Sequence, residues 1–169
     1  MTNFNEINPK EITENAMKLI GNDWMLVCAG DNEKANAMTA SWGGVGIMWG
    51  YDVAYIFIRP QRYTKEFVDK NDKLSLSFFD DSFKDNLKYF GTVSGRDEDK
   101  IAKTNMNIDF EDGTPYFTDA KLVLICEKLF VQDIKEDSFL DKSLIEKWYA
   151  NKDFHAMYIA KIDKVLIKK

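Results

Sequence analysis

Residues 36–64 read NAMTASWGGVGIMWGYDVAYIFIRPQRYT, and the fold turns on this stretch. Two β-like runs, 36–42 and 53–58, flank a segment carrying Gly43, Gly44, Gly46 and Gly50. Glycines at that density let the backbone turn sharply and come close to a ligand or a second backbone. The second run ends in Arg59-Pro60-Gln61-Arg62-Tyr63-Thr64, which opens a helix expected over 63–70. Two arginines, a hydroxyl and the free N–H groups of a helix start make a phosphate seat. Together these features point to a ligand with a planar head and a phosphate tail, which periodicity alone does not name.

Working outward, residues 9–20 read as an opening helix, with Asn8 as cap, Pro9 in the first turn and Ile12, Ala16, Leu19 and Ile20 as its apolar stripe. Residues 24–29 form an expected strand, and 31–34 the hairpin loop into the central stretch. Residues 52–58 are almost uniformly apolar, as in a strand buried on both faces. Residues 73–79 alternate, Leu74, Leu76 and Phe78 against Ser75 and Ser77, which predicts one core face. A helix is expected over 82–90, capped by Ser82 and ended at Gly91, and a charged helical piece over 98–104. A turn at 112–115 leads to a short strand through Tyr116 and Phe117. Residues 121–135 are too long for one flat strand and predict a bulge near Glu127-Lys128. A last helix (143–150) and a closing strand (155–162) complete one domain over 1–169, mainly β with flanking helices, consistent with a barrel.

The 169 residues are 45% hydrophobic and 14% aromatic, enough for a substantial core. With 23 basic and 28 acidic residues the net charge is −5, so there is no diffuse attraction for nucleic acid or an anionic membrane, and any anion site must be local. No basic-then-apolar leader opens the chain and no apolar run reaches spanning length, so the expected location is cytoplasmic. Cys28 and Cys126 sit in apolar runs and read as buried reduced thiols. His155 is the sole histidine. A His-rich metal site is thereby excluded, and a Ser-His-Asp hydrolase is disfavoured because no G-x-S-x-G elbow accompanies it.

Four motifs occur in a familiar order: Asn36-Ala37-Met38-Thr39-Ala40-Ser41-Trp42-Gly43-Gly44, Arg59 to Thr64, Leu76-Ser77-Phe78-Phe79, and Ser94-Gly95-Arg96-Asp97-Glu98-Asp99-Lys100. Together with Trp148-Tyr149 and the run from Phe154 to Ile159, they resemble the flavin reductase-like family of FMN-binding split β-barrels, particularly its flavoredoxin-like branch. The likeness covers nearly the whole chain beyond about the first twenty residues. It implies a split barrel that binds FMN, takes NADH or NADPH as electron donor, and pairs as a homodimer with flavin at the seam. It also implies cofactor contacts from Asn36, Met38, Thr39, Ala40, Ser41, Trp42, Arg59, Arg62, Tyr63, Thr64, Ser94 and Arg96.

Within that set, Arg62 and Thr64 lie nearest the helix start and are the expected phosphate contacts, while Arg59 at the strand end suits the barrel or a partner subunit. The resemblance lays residues 36–41 along the isoalloxazine edge, main-chain atoms of Thr39 and Ala40 foremost, with Ser41 and Trp42 toward the ribityl-phosphate end. It puts Ser94 and Arg96 near the flavin, with Lys100 nearby. As plain structure, the arginines are solvated loop residues paired to Asp69 or Glu66, the Ser94 turn is a helix cap, and Trp42 and Trp49 are core or interface aromatics. His155 reads as structural, since its surroundings lack the Gly-Asp-His form of related reductases. Three functions remain: an NAD(P)H-dependent flavin reductase-like enzyme, an FMN electron carrier reduced by a partner protein, and a barrel holding another phosphorylated ring or serving only for assembly. The first needs no general acid or base, in keeping with the absence of a triad or paired carboxylates.

Overall fold

The glycine-rich segment between the two central runs is itself a strand. In the computed structural model, which describes residues 3–169, β3 (Ala35–Ala40), β4 (Gly43–Met48) and β5 (Tyr51–Ile58) follow one another with minimal links. Trp49 (φ 52°) and Gly50 (φ 77°) make the two-residue hairpin turn between β4 and β5, both in the left-handed region that a type I′ turn requires. Gly44 and Gly46 lie under the Tyr55 ring, where an added Cβ would meet it at 3.7 and 3.6 Å. Those are ordinary contacts; at Gly43 (φ 155°), where a Cβ would stand 2.5 Å from Tyr55 O, the strand pairing itself requires glycine.

The remaining strands are β1 (Phe4–Ile7), β2 (Met25–Gly30), β6 (Lys73–Phe78), β7 (Ile108–Glu111), β8 (Thr114–Phe117), β9 (Leu122–Asp133) and β10 (Ala156–Lys168). The main sheet has the order β3-β2-β6-β9-β10-β5-β4, with β1 added against the end of β10; β7 and β8 form a separate hairpin. Every pairing is antiparallel. β3 and β4 stand at opposite edges of the sheet, yet only Ser41 and Trp42 join them. The sheet must therefore curl until its edges meet, which is the split barrel. The bulge falls where β-richness outran one flat strand: Phe130 pairs Ile159, Lys128 pairs Ala160, and Leu129 is left over.

One apolar cluster fills the inside of the curl, drawing Met38, Ile56, Leu76, Leu124 and Tyr158 from strands all round it and Val68 from α2 (Tyr63–Lys70). A second lies on the other face of β2, β6 and β9, under α3 (Lys84–Thr92) and β8, and includes Cys28, Leu87, Phe90 and Phe117. β6 is consequently buried on both faces, against the expectation of one. Ser75 Oγ donates to Pro115 O at 2.6 Å, which lets its polar face go under. Cys28 and Cys126 are free and buried.

Several helices depart from expectation. Residues 9–20 do not form one helix: a 3₁₀ turn at Pro9–Glu11, closed by a reciprocal Asn8–Glu11 capping box, stops at extended Ile12. Asn15 then caps a fresh turn, α1 (Ala16–Lys18), which widens into a π turn over Leu19–Asp23. Its side chain accepts from Met17 and Lys18 N–H groups, a local competitor to a continuous helix. α3 starts after a 3₁₀ turn at Asp81–Phe83 without a Ser82 cap and runs through Gly91. α4 (Lys100–Thr104) starts at its Asp99 cap rather than at Glu98, and α5 (Ser143–Trp148) ends two residues early. No helix among the described residues is long and apolar enough to cross a membrane.

Candidate functional site

α2 forms where the sequence placed it, and its first turn faces a small cavity. Arg62 occupies the cap position in extended conformation with no side-chain cap, so first-turn N–H groups stay open to a ligand. A cavity of about 200 Å³ is lined by Arg62, Tyr63, Thr64, Gly91, Ser94 and Lys100 among others. The Arg62 guanidinium donates to Gly91 O (3.1 Å) and Phe90 O (3.2 Å), and Lys100 Nζ donates to Phe90 O (3.2 Å). Both cations therefore crowd the carbonyl end of α3, where the helix dipole favours positive charge. Among the described residues, neither has a carboxylate within ion-pair distance. Lys100 is 3% exposed, and burial, with the adjacent Arg62 charge, pulls it from 10.5 to about 8. Burial lowers Arg62 as well.

Asn36 and Thr64 meet at this seat. Asn36 Nδ2 donates to Thr64 Oγ1 at 2.7 Å, which leaves the Thr64 hydroxyl hydrogen free to donate elsewhere. Gly95 packs against the same amide: a Cβ there would stand 2.1 Å from Asn36 Oδ1. Ser94 lines the cavity, and its Oγ accepts from Arg96 N at 3.2 Å.

Arg96 does not enter the seat. Its guanidinium ion-pairs with Glu66, donates to Gln61 O and lies 4.7 Å over the Tyr63 ring, clamping the Ser94 turn to α2. On the other side of the Tyr63–Gly95 wall lies a larger cleft of about 500 Å³, lined by Glu33, Asp97, Glu98 and Asp99 as well as Lys34, Arg96 and Lys100. Its carboxylates outnumber its cations, whereas no carboxylate lines the smaller cavity, which is the better anion site.

Arg62 also borders a second cavity, of about 280 Å³, which runs along the end of β3 between Phe57, Trp42, Trp148 and His155. Met38 and Ala40 turn their side chains into the core, and Thr39 Oγ1 donates to Leu87 O at 2.5 Å. What the strand presents here is backbone. β3 is an edge strand, so alternate N–H and C=O groups point away from β2. Asn36 stands at the α2 cavity through its bond to Thr64, whereas Ser41 and Trp42 line the second one. Trp42 lies at the far end, edge-on to Trp148 (5.1 Å) and 5.0 Å from His155.

Arg59 lines this second cavity but is held by protein. It pairs with Asp153 at 2.5 Å, donates to Trp148 O at 2.8 Å and lies over the Tyr149 ring. Hydrogen bonds from Gln61 and Arg59 hold the Asp153 carboxyl below its usual range. Arg59 thereby ties α5 and its following turn over the cavity. His155 Nδ1 lies in hydrogen-bond contact with Tyr149 OH at 2.8 Å, and the imidazole also lines the cavity. Phe57 lies in the central stretch, but nothing in its almost uniformly apolar run marks it out, and Trp148 reaches the cavity from a distant segment.

The chain belongs to the flavin reductase-like family: the family's model, the flavin reductase like domain, matches residues 17–169. Its fold is shared with flavoredoxin from Methanosarcina acetivorans (17% identity, 96% of this chain and 74% of that one, TM-score 0.67). It is shared too with an FMN-binding domain of flavin reductase-like enzymes from Shewanella baltica OS155 (14%, 99% and 78%, TM-score 0.71). The styrene monooxygenase flavin reductase of Pseudomonas putida S12 is a further structural relative (14%, 85% and 77%, TM-score 0.61). No curated protein matches the chain in sequence.

Proposed function

We propose that the protein binds FMN and works as an NAD(P)H-dependent flavin reductase-like oxidoreductase. The observation that carries this reading is a pair of cations, half-buried Arg62 and buried Lys100, without carboxylate partners among the described residues at the open start of α2. A phosphate supplies the missing charge, with the Thr64 hydroxyl and first-turn amides as further donors. Through Arg62 the seat joins the aromatic-walled cavity beside β3, where a flat ring fits against Trp42 and Phe57. The β3 edge offers fixed backbone groups to that ring. FMN, when bound, supplies the redox chemistry, accepting hydride from NADH or NADPH at N5 and passing electrons to an acceptor. The chain's own part is to grip the phosphate, orient the ring and restrict water through the Trp42–Trp148 roof.

The second reading is an electron carrier reduced by a partner protein. The tight second cavity favours it, since a nicotinamide stacked on the ring requires Trp148 to give way. Anaerobic mixing with NADH and NADPH separates the two. Saturable bleaching of bound FMN supports the reductase; bleaching by dithionite but by neither nicotinamide at millimolar concentration supports the carrier. A protein that binds neither FMN nor riboflavin refutes both. A homodimer belongs to the same proposal, because Ile47, Trp49, Tyr51, Phe130 and Val131 are exposed, with Trp49 and Phe130 6.0 Å apart.

A further inference from the structure

We infer that Tyr149 is a positioning residue: its hydroxyl locks His155 as the Nε2–H tautomer, giving the ring cavity one fixed N–H donor for an acceptor atom on the bound ring. The inference begins with hydrogen counting. Tyr149 is 5% exposed; its hydroxyl lies 2.8 Å from His155 Nδ1 and its oxygen also accepts from the His155 backbone N–H, so among the described residues Nδ1 is the acceptor within reach of its hydrogen. Burial raises the phenol's pKa, so it keeps its hydrogen. If Nδ1 also carried a hydrogen, the phenol hydrogen would face it with no acceptor, inside the aromatic group of Phe139, Phe154 and Tyr149 itself. The stable arrangement is therefore O–H donating to bare Nδ1, with the imidazole hydrogen on Nε2.

Nε2 has no hydrogen-bond partner among the described residues. Among the described residues the one buried side-chain polar atom without a partner is Thr114 Oγ1, so Nε2 is open to the cavity that His155 lines. The charged groups facing the imidazole are Arg59, from the end of β5, and Asp153, from the turn after α5. Trp42 and Trp148 complete its surroundings with apolar rings. Burial, aided by Arg59 and opposed by Asp153, pushes the imidazole down to about 4, so the ring stays neutral at physiological pH. A neutral donor suits a site that must bind a ring in both redox states without trading a proton with solvent. The identity of the acceptor rests on the FMN reading above; the tautomer does not.

His155 is the sole histidine, so every imidazole signal in the full-length protein is its own. Long-range proton–nitrogen NMR on isotope-labelled histidine, near pH 7 and without ligand, is expected to show Nδ1 bare and Nε2 protonated. Tyr149→Phe keeps the ring packing but removes the donor. It is expected to give a tautomer mixture and to raise the titration midpoint by about half to one pH unit. FMN, and riboflavin, should shift Nε2 in the parent more than in Tyr149→Phe. An Nδ1–H tautomer or an imidazolium in the parent overturns the inference, whether or not the variant folds. So does a folded variant with an unchanged tautomer ratio. A locked tautomer in a protein that binds neither flavin supports the positioning role and overturns the FMN reading instead.

Discussion

Replacing Lys100 with methionine is expected to make the free protein more stable and the cofactor complex weaker. The ammonium is 3% exposed, lacks a carboxylate and is held from 10.5 down to about 8. At 1.36 kcal/mol per pH unit that gap is about 3 kcal/mol of unfavourable burial at neutral pH. The sign follows from proton counting. Below about pH 8 both folded and unfolded chains hold the proton and the penalty is complete. Between about 8 and 10.5 the unfolded chain binds more protons, so stability rises with pH. Methionine keeps the stem packing and discards the charge, but also loses the hydrogen bond to Phe90 O, worth about 1 kcal/mol. The net expectation at pH 7 is a gain of about 1–2 kcal/mol in urea unfolding of the apo protein. FMN titration at the same pH should lose about 1.5–3 kcal/mol, with riboflavin binding unchanged. In the parent, FMN affinity should fall about tenfold between pH 7 and 9 as the free ammonium deprotonates, and this pH dependence should vanish in Lys100→Met. A variant that is less stable at pH 7 and binds FMN as tightly as the parent refutes the reasoning.

Arg62→Ala should weaken FMN by about 1.5–3 kcal/mol and leave riboflavin nearly untouched; equal losses for both in fluorescence titration count against the phosphate assignment. Gly95→Ala places a Cβ on Asn36 Oδ1 and must displace the amide from Thr64, so FMN affinity is expected to fall more than about tenfold, the order of one charge-assisted hydrogen bond. Retention of full affinity in that variant removes Asn36 from the seat. Light scattering at micromolar concentration should return twice the chain's 19.6 kDa, and a monomer mass with FMN fully bound argues against the homodimer.

What the sequence made legible was mostly local. The helix at Tyr63–Lys70 and the loop at 31–34 are set by neighbours in the chain, and so is the Arg62–Thr64 seat at a helix start. β4 was hidden because glycine signals a turn, whereas Gly43 is required by the close approach of Tyr55 O from the paired strand. The second half of β10 reads as a charged tail, yet Lys164 pairs with Glu111 and Asp112, and Asp163 with Lys73 and Lys161. β1 and β7 are four residues each and too short for a periodic signal. Within the site, the meeting of Lys100 with Arg62, and the placing of Asn36 at one cavity and Trp42 at the other, depend on contacts between distant segments. No pattern in residues 98–104 marks one lysine as buried among its charged neighbours.

The place of β10 has a consequence for the order of assembly during synthesis. Without it, the main sheet falls into two unconnected pieces, β3-β2-β6-β9 and β5-β4, and β1 has no partner. Phe57 and His155, which border one cavity, come together only once β10 has zipped between β9 and β5, whereas Thr39 and Arg62 are already tied through the packing of α2 on β2 and β3. In a nascent chain the two pieces of the sheet therefore stay unpaired until β10 emerges, with long-range pairing as the slow step. The cavity between Phe57 and His155 exists only after that closure.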